Sequence, residues 1–255
     1  MEEVFRSNGD DSFRAYLTAG TENLEEILEA GSPFLTMMDD LDSFLNQHVS
    51  GPNVEIDNQI IHLLRINARF LLMTGFRIGL TGHVSGIFPI LRTALETACY
   101  ALLMSKNDSL CDIWLGRNSS PEGFKACKNA FNKPMKDAQK LVDEHDPVLG
   151  AWMYALYEST IDFGAHPNPK TVTLHTRFTD DDQGMTLIEN IGLYGVSNYG
   201  YEGGLLACVE MGLATALVLS MTHDKVTRDA VQALQALNDR KNELEDMIRE
   251  KHHQN

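Results

Sequence analysis

Two consecutive segments, residues 56–80 and 88–106, carry apolar side chains on most sides of a helix. In the first segment, for example, Ile60 and Phe76 point in different directions around the helix axis. A helix that is apolar on most faces is buried at the centre of its bundle. Pro89 is compatible with the first turn of the second helix, where its missing amide hydrogen is tolerated. Closely spaced glycines lie at the end of the first segment and just after it, and they allow close helix packing, a bend or a break: Gly75, Gly79, Gly82 and Gly86.

Further helices are predicted on both sides of these central segments. Gly31 ends an N-terminal helix, and Ser32 is a typical N-cap for the next one. A helix opened by Pro147 must end between Gly164 and His166, because prolines follow. Two more helices are predicted over about 202–221 and about 225–250.

The strand signal is confined to one stretch after the central helices. Val172, Leu174 and Thr176 alternate with polar residues, as in a half-buried strand. A polar turn separates them from residues 185–191, which are predicted to return as a second strand. Because a two-stranded hairpin is marginal alone, it must lie on the helices. The predicted fold is therefore mainly α, a multi-helix bundle with one two-stranded β-hairpin near residues 170–192.

The chain is acidic overall, with 255 residues and a formal net charge of −15. General nucleic-acid binding is therefore not expected, because it depends on clustered Lys and Arg. Residues 61–140 nevertheless carry more bases than acids, and they lie between acidic flanks. The loop 50–53 separates an acidic helical segment, 1–52, from the main domain, 53–255. We expect the acidic segment to pack on the basic body, so that the chain forms a single structural domain.

The cysteines and the apolar stretches bear on the cellular compartment. Four cysteines without a Cys-x-x-Cys pair are typical of reduced, buried thiols in a cytoplasmic protein. The acidic N-terminus is followed by no long apolar run, so no signal peptide is predicted. The longest apolar stretch, residues 205–221, is short for a membrane span and contains Glu210. We interpret it as a core helix, and we expect a cytoplasmic protein with no membrane contact.

The C-terminal helix has a narrower apolar pattern than the others. Ala230, Leu234, Leu237, Leu244 and Ile248 follow a 3.5-residue repeat, and the rest of the surface is charged. This pattern predicts a seam that packs against one partner helix, either in the same chain or in a second copy. A seam near the chain terminus is accessible, which slightly favours a homodimer.

Arg92 and Glu96 lie one helical turn apart in an otherwise apolar helix. A buried charge is costly unless it is paired, so the two are predicted to form a mutually dependent ion pair. A second interpretation makes them the polar floor of a ligand pocket. Arg92 would then offer its planar donors to an anion or a carbonyl group.

Glu158, Asp162 and His166 follow one another at intervals of four and share a helix face. Asp162 and the C-terminal end of the helix both favour the protonated imidazole of His166. The three could cap the helix, bind or exchange protons in a pocket, or ligate a divalent metal. Because no clustered His or Cys supplies further ligands, no metal and no cofactor is predicted. Asn168, just beyond the helix end, is a further ligand-binding candidate.

Trp114 and Arg117 could present an indole and a guanidinium side by side to a planar ligand. The alternative is an aromatic anchor between helices. Bases then recur with phenylalanines among them, which suits RNA, an acidic partner or a solvated face that complements the acidic N-terminus. These residues are Arg117, Lys125, Lys128, Lys133, Lys136 and Lys140, with Phe124 and Phe131.

Arg77 and His83 have the Arg-x(4–6)-His spacing of helical ribonuclease toxins of the HEPN type. Ile78 departs from that pattern, because a polar residue usually follows the arginine. Gly79 and Gly82 would also loosen the helix that aims the pair. The sequence contains no phosphate loop, no Gly-x-Ser-x-Gly elbow and no His-Glu-x-x-His motif.

Three segments carry a wider similarity. Residues 86–100 contain a Leu-Arg-x-x-x-Glu motif, residues 113–117 read Ile-Trp-Leu-Gly-Arg, and residues 161–168 end in Gly-Ala-His-Pro-Asn. Together they resemble a group of uncharacterised, mostly helical bacterial proteins, over roughly residues 60–170. The resemblance implies a helical fold and a bacterial or phage-related source, with a distant similarity to HEPN domains, and it implies no activity.

The predicted function is that of a soluble helical binding module with a small polar pocket. Arg92, Glu96, Asp162 and His166 would line this pocket. A cationic His166 beside Arg92 would attract a small carboxylate, phosphate or nucleotide phosphate. The alternatives are a HEPN-like ribonuclease or other hydrolase, and a purely structural, oligomerising protein. A pocket shared by Arg92 and His166 would favour binding or catalysis.

Overall fold

The structure is a computed structural model that describes residues 12–167, 169–180 and 186–253. The helices are α1 Phe13–Ala30, α2 Pro33–Leu45, α3 Gln59–Leu80, α4 Val84–Lys106, α5 Ser109–Leu115, α6 Pro121–Ala130, α7 Pro134–Asp143, α8 Pro147–Thr160, α9 Pro169–Leu174, α10 Tyr199–Ser220 and α11 Arg228–His253. The strands β1 Thr176–Asp180 and β2 Thr186–Asn190 pair antiparallel, with Phe178 opposite Ile188. The predicted mainly α fold with one hairpin is confirmed.

The centre of the bundle is formed by α3 and α4, with α10 packed against both. An added Cβ at Gly75 would lie 2.7 Å from Leu91 Cδ2, and one at Gly79 would lie 3.0 Å from Cys208 Sγ. The absence of side chains at these glycines therefore lets the three helices approach closely. α2 packs on α10 and α11, so one core cluster extends from Ile27 to Ile248.

The first helix boundaries lie where the sequence predicts them. Gly31 ends α1 in the left-handed conformation, with φ of 65°. Ser32 caps α2, because its side-chain oxygen accepts a hydrogen bond from the Phe34 amide. A π-helical turn, Asn46–Ser50, then leads into the predicted loop.

The break between α3 and α4 is a short turn at Gly82. Gly82 has φ of 87°, and an added Cβ there would lie 2.3 Å from the Tyr194 carbonyl oxygen. α4 begins at Val84, earlier than the predicted start, so Pro89 lies inside the helix rather than in its first turn. Pro89 cannot donate to the Ser85 carbonyl. Gly164 packs against that carbonyl, where a Cβ would lie 2.8 Å from its oxygen.

The seam of the C-terminal helix is covered within the chain. Ala230, Leu237, Leu244 and Ile248 are buried, and α11 packs on α2 and α10. One of the two predicted alternatives, a partner helix within the same chain, is therefore present. The homodimer stays a prediction, and it would require a surface other than these buried residues.

The start of the predicted first strand is wrong. Val172 and Leu174 belong to the short helix α9, and β1 begins only at Thr176. Pro169 stands at the first position of α9, where its fixed φ suits a helix, and within α9 the Thr173 hydroxyl donates to the Pro169 carbonyl, four residues back, at 2.8 Å. The alternating pattern thus arises on an exposed helix. Met185, at the predicted start of the second strand, lies outside the described residues.

Two helices, α4 and α10, are long and apolar enough to cross a membrane by length and composition alone. Within their most apolar windows, 56% of α4 and 72% of α10 is buried inside the bundle. Core helices of compact proteins show the same property. The four cysteines are buried and free of disulfides, as their spacing predicts.

Candidate functional site

Arg92, Glu96 and Tyr157 form a hydrogen-bonded triad where α4 meets α8. Arg92 Nε donates to Glu96 Oε1 at 3.1 Å, so the predicted ion pair is present. The Tyr157 hydroxyl donates to the same carboxylate oxygen at 3.0 Å and accepts a hydrogen bond from Arg92 Nη2. Because Tyr157 lies on a different helix, local spacing around Glu96 does not reveal it.

The triad is largely closed to outside partners. The side chains of Arg92 and Glu96 are 16% and 34% exposed, and Arg92 Cζ lies 4.1 Å from the centroid of the Tyr157 ring. Burial and the Glu96 charge raise the pKa of Tyr157 to about 12, so its hydroxyl keeps its proton. Arg92 Nη1 is buried and has no hydrogen-bond partner in the described part of the chain. One guanidinium nitrogen is therefore left over.

The other half of the predicted pocket has its own partners. Asp162 lies in a π-helical turn, Ile161–Ala165, and pairs with Lys170 at 2.8 Å. His166 follows that turn and is exposed. The residues predicted to share one pocket therefore belong to two separate sets of polar contacts. Arg92 and Glu96 bond with Tyr157, and Asp162 pairs with Lys170. The stacked rings of Phe88 and Phe163, 5.6 Å apart, join the turn to α4.

Two further candidates belong to this region. Glu158 is exposed on α8, and Asn168 lies outside the described residues. Within residues 12–167, 169–180 and 186–253, no group of three or more His, Cys, Asp or Glu could hold a metal ion.

Arg77 and His83, the residues with HEPN-like spacing, lie in different surroundings. Arg77 is exposed on α3. His83 precedes α4 and is half-buried beneath α1, where its ring contacts Tyr16 edge-on at 4.7 Å. The His83 Nδ1 atom lies 2.7 Å from Thr81 Oγ1, and burial lowers its pKa. No observation here favours the ribonuclease alternative.

Arg117 borders a cavity of about 470 Å³ between α4 and α6, called the α4–α6 cavity below. Its guanidinium carbon lies 5.5 Å from the Phe124 ring centroid. Tyr100 and Phe131 stack on each other in the same lining, with centroids 4.2 Å apart. Trp114 is instead half-buried against the core, in agreement with its interpretation as an anchor between helices.

A larger cleft of about 560 Å³ lies between α8, α10 and α11, and no local sequence pattern predicts it. Its size is typical of small-molecule pockets. The walls come from helices that are distant in sequence, so no single helix shows an unusual pattern. The apolar lining includes Leu149, Trp152, Leu213, Leu217, Val231 and Leu234.

Polar groups stand at the edge of this α8–α10–α11 cleft. Lys106 Nζ donates to the Met221 carbonyl at 3.2 Å, and among the described residues it has no carboxylate within 4.0 Å. His145 and Asp224 are exposed at the same edge. His223 also lines the cleft, and its Nε2 atom is buried without a partner in the described chain.

Close to His223 lies Arg65 of α3, the most buried charged side chain among the residues that the structure describes. Arg65 is 2% exposed, and it donates from Nε to Thr222 Oγ1 at 2.7 Å and from Nη2 to the Thr222 carbonyl at 3.0 Å. Burial lowers the pKa of Arg65, and Asp57 partly opposes that shift. Burial and Arg65 likewise lower the pKa of His223. His223 is therefore neutral near pH 7.

Comparisons with protein-family models, with curated proteins and with solved structures found no significant match.

Proposed function

We propose that this protein is a helical binding module for a small amphipathic anion, held in the α8–α10–α11 cleft. A medium-chain carboxylate is the simplest member of this ligand class. The proposal keeps the small anionic ligand expected from the sequence. The proposed site lies in a different place from the predicted pocket, because Arg92 is hydrogen-bonded to Glu96 and Tyr157.

The supporting observation is an apolar cavity with an uncompensated cation at its edge. The aliphatic and indole walls favour a hydrocarbon body, at roughly 25 cal/mol for each Å² of apolar surface buried. Lys106 uses one ammonium hydrogen on Met221, which leaves two donors for a carboxylate. Asp224 is exposed, so solvent and salt screen its repulsion of an anion.

Trp152 provides a direct readout of occupancy. The chain has two tryptophans, so a Trp114→Phe background leaves Trp152 as the only indole. Decanoate should change the Trp152 emission in a saturable manner. Decanol has the same hydrocarbon chain without the charge, and it should bind about tenfold more weakly for the loss of one charge-assisted contact.

Two variants and one matched control separate a specific site from nonspecific adsorption. Lys106→Ala should weaken decanoate binding and leave decanol binding unchanged. Leu234→Phe should weaken both by narrowing the cleft, because Leu234 forms part of its wall. Lys140→Ala is the control, since Lys140 is an exposed lysine paired with Asp137 away from the cleft. Equal affinity for decanoate and decanol, or tight binding that survives Leu234→Phe, would contradict the proposal.

A further inference from the structure

The α4–α6 cavity differs from the apolar cleft in its lining. Aromatic rings and amides form its walls, and Arg117 and Lys128 are its charged members. In the described part of the chain neither cation has a carboxylate within 4.0 Å. These two positive charges are therefore not used to hold the fold together.

An open aromatic face lies next to these charges. Tyr100 and Phe131 already cover each other's faces, with ring planes 6° apart, and Phe131 is buried. Phe124 is 49% exposed, and the Arg117 guanidinium lies over one side of its ring, with Cζ 5.5 Å from the centroid. A planar ring can therefore stack on Phe124 while its anionic substituent reaches the guanidinium.

The electrostatic surroundings favour an anion despite the acidity of the whole chain. Exposed lysines on α6 and at the start of α7, Lys125 and Lys133, add positive potential around the cavity. Glu96 is the carboxylate that influences Tyr100 on the cavity wall, and its charge is balanced by Arg92. Local potential, rather than net charge, decides what enters a cavity.

We propose that the α4–α6 cavity binds a nucleoside phosphate. The base stacks on Phe124, the phosphates bind Arg117 and Lys128, and the amides of Asn129 and Asn132 face the edge of the base. These amides offer both donors and acceptors, which a base edge requires. The site is independent of the carboxylate site proposed above, because the two cavities share no lining residue.

Isothermal titration of the full chain tests this proposal with ADP, adenosine and inorganic pyrophosphate. ADP uses both the stacking and the phosphate contacts, so it should bind at least about tenfold more tightly than either of the other two compounds. Binding of pyrophosphate as tight as that of ADP would show a site for phosphate alone and would overturn the assignment of a nucleoside.

Variants at the cavity sharpen the test. Arg117→Ala and Phe124→Leu should each weaken ADP binding by about tenfold, for one charged and one stacking contact. Lys125→Ala is the matched control for the general positive potential, because Lys125 is an exposed base of the same helix outside the cavity lining, and its loss of ADP affinity should be well below tenfold. Circular dichroism establishes that each variant is folded.

Two further outcomes would overturn the proposal. Equal losses in Lys125→Ala and Arg117→Ala would indicate nonspecific attraction to a basic surface. The second outcome is a single-stranded decanucleotide that binds far more tightly than ADP, with an affinity that falls as salt is added and to which all the lysines contribute. That result would reassign the surface to nucleic acid.

Discussion

Arg65 and Arg92 are arginines of neighbouring central helices, yet the bundle accommodates their charges in opposite ways. Arg92 has a carboxylate one turn away and a tyrosine across the interface, and its side chain remains 16% exposed. Arg65 is 2% exposed and bonds only Thr222, at the end of α10, with no carboxylate within 4.0 Å among the described residues. The more deeply buried charge is thus the one without a counter-ion.

The difference shows what each arginine contributes to the fold. Arg92 joins α4 to α8 through Tyr157, while its counter-ion, Glu96, comes from its own helix. Arg65 ties α3 to the residue that follows α10, across 157 positions of the chain. A buried charge without a counter-ion costs stability, but it holds the end of α10 in one position. That end also forms an edge of the α8–α10–α11 cleft.

The largest expected effect is the loss of stability in Arg65→Ala. This change leaves Thr222 without its donors and opens a cavity in the core, so we expect about 3–5 kcal/mol less stability in urea denaturation. Arg65→Met fills most of that space and removes the unpaired charge, and its loss should be much smaller. A loss for Arg65→Met as large as that for Arg65→Ala would show that the charge itself is needed.

Arg92→Ala should cost less than Arg65→Ala. Glu96 remains 34% exposed, so water can solvate the carboxylate once its partner is removed. We expect a loss of about 2 kcal/mol in urea denaturation. The double variant Arg92→Met, Glu96→Leu should recover part of this loss, because it leaves neither charge unpaired. Additive losses in the double-mutant cycle would show that the two residues are not coupled.

This comparison also shows how far the sequence predicts the molecule. The apolar pattern of residues 56–106 predicts a central helix pair, and the Arg92–Glu96 spacing predicts their ion pair, because both depend on neighbours within a few turns. Neither the contact of Arg65 with Thr222 nor that of Glu96 with Tyr157 has a local signature. Arg65 is one of three arginines in α3, so its charge alone does not single it out, and its partner depends on tertiary packing.

The cavities and the start of the hairpin likewise could not be predicted from local sequence patterns. The α8–α10–α11 cleft needs three helices to be placed, so its residues look like ordinary core positions in the sequence. Asp162 and His166 share a helix face by their spacing. The pocket that they were predicted to form with Arg92 depends on how α8 ends, which the spacing does not predict. Val172 and Leu174 alternate as in a strand, yet they lie in α9, which begins at Pro169, a residue whose fixed φ suits the first position of a helix.

Tyr157→Phe should have a smaller effect than either arginine change. It removes the hydroxyl that bridges Arg92 and Glu96 and keeps the ring, so we expect a loss of about 1 kcal/mol. The folded-state pKa of about 12 for Tyr157 exceeds the unfolded value of about 10. Tyr157 therefore contributes its full stabilisation below pH 10 and loses it between pH 10 and 12. Equal alkaline stability of the wild type and Tyr157→Phe would contradict this assignment.

The smallest effect is an acid sensitivity near Arg65, which arises from His223. Burial, Arg65 and His62 lower the pKa of His223, against the opposing influence of Asp57 and a hydrogen bond with the Val49 backbone. Because the unfolded histidine takes up its proton first, near pH 6.5, stability should fall as the pH falls from there towards the folded-state value.

His223→Gln removes this titration, so its stability should decline less steeply below pH 6.5 than that of the wild type. Half-buried His83 and buried His175 also have lowered pKa values, so part of the slope should remain. Nuclear magnetic resonance titration of Arg65→Met isolates the cause, because loss of the neighbouring guanidinium should raise the pKa of His223. Arg92→Met is the control and should leave that pKa unchanged. An unaltered His223 titration in Arg65→Met would assign the lowering of its pKa to burial and His62, and it would remove the electrostatic link between Arg65 and the cleft.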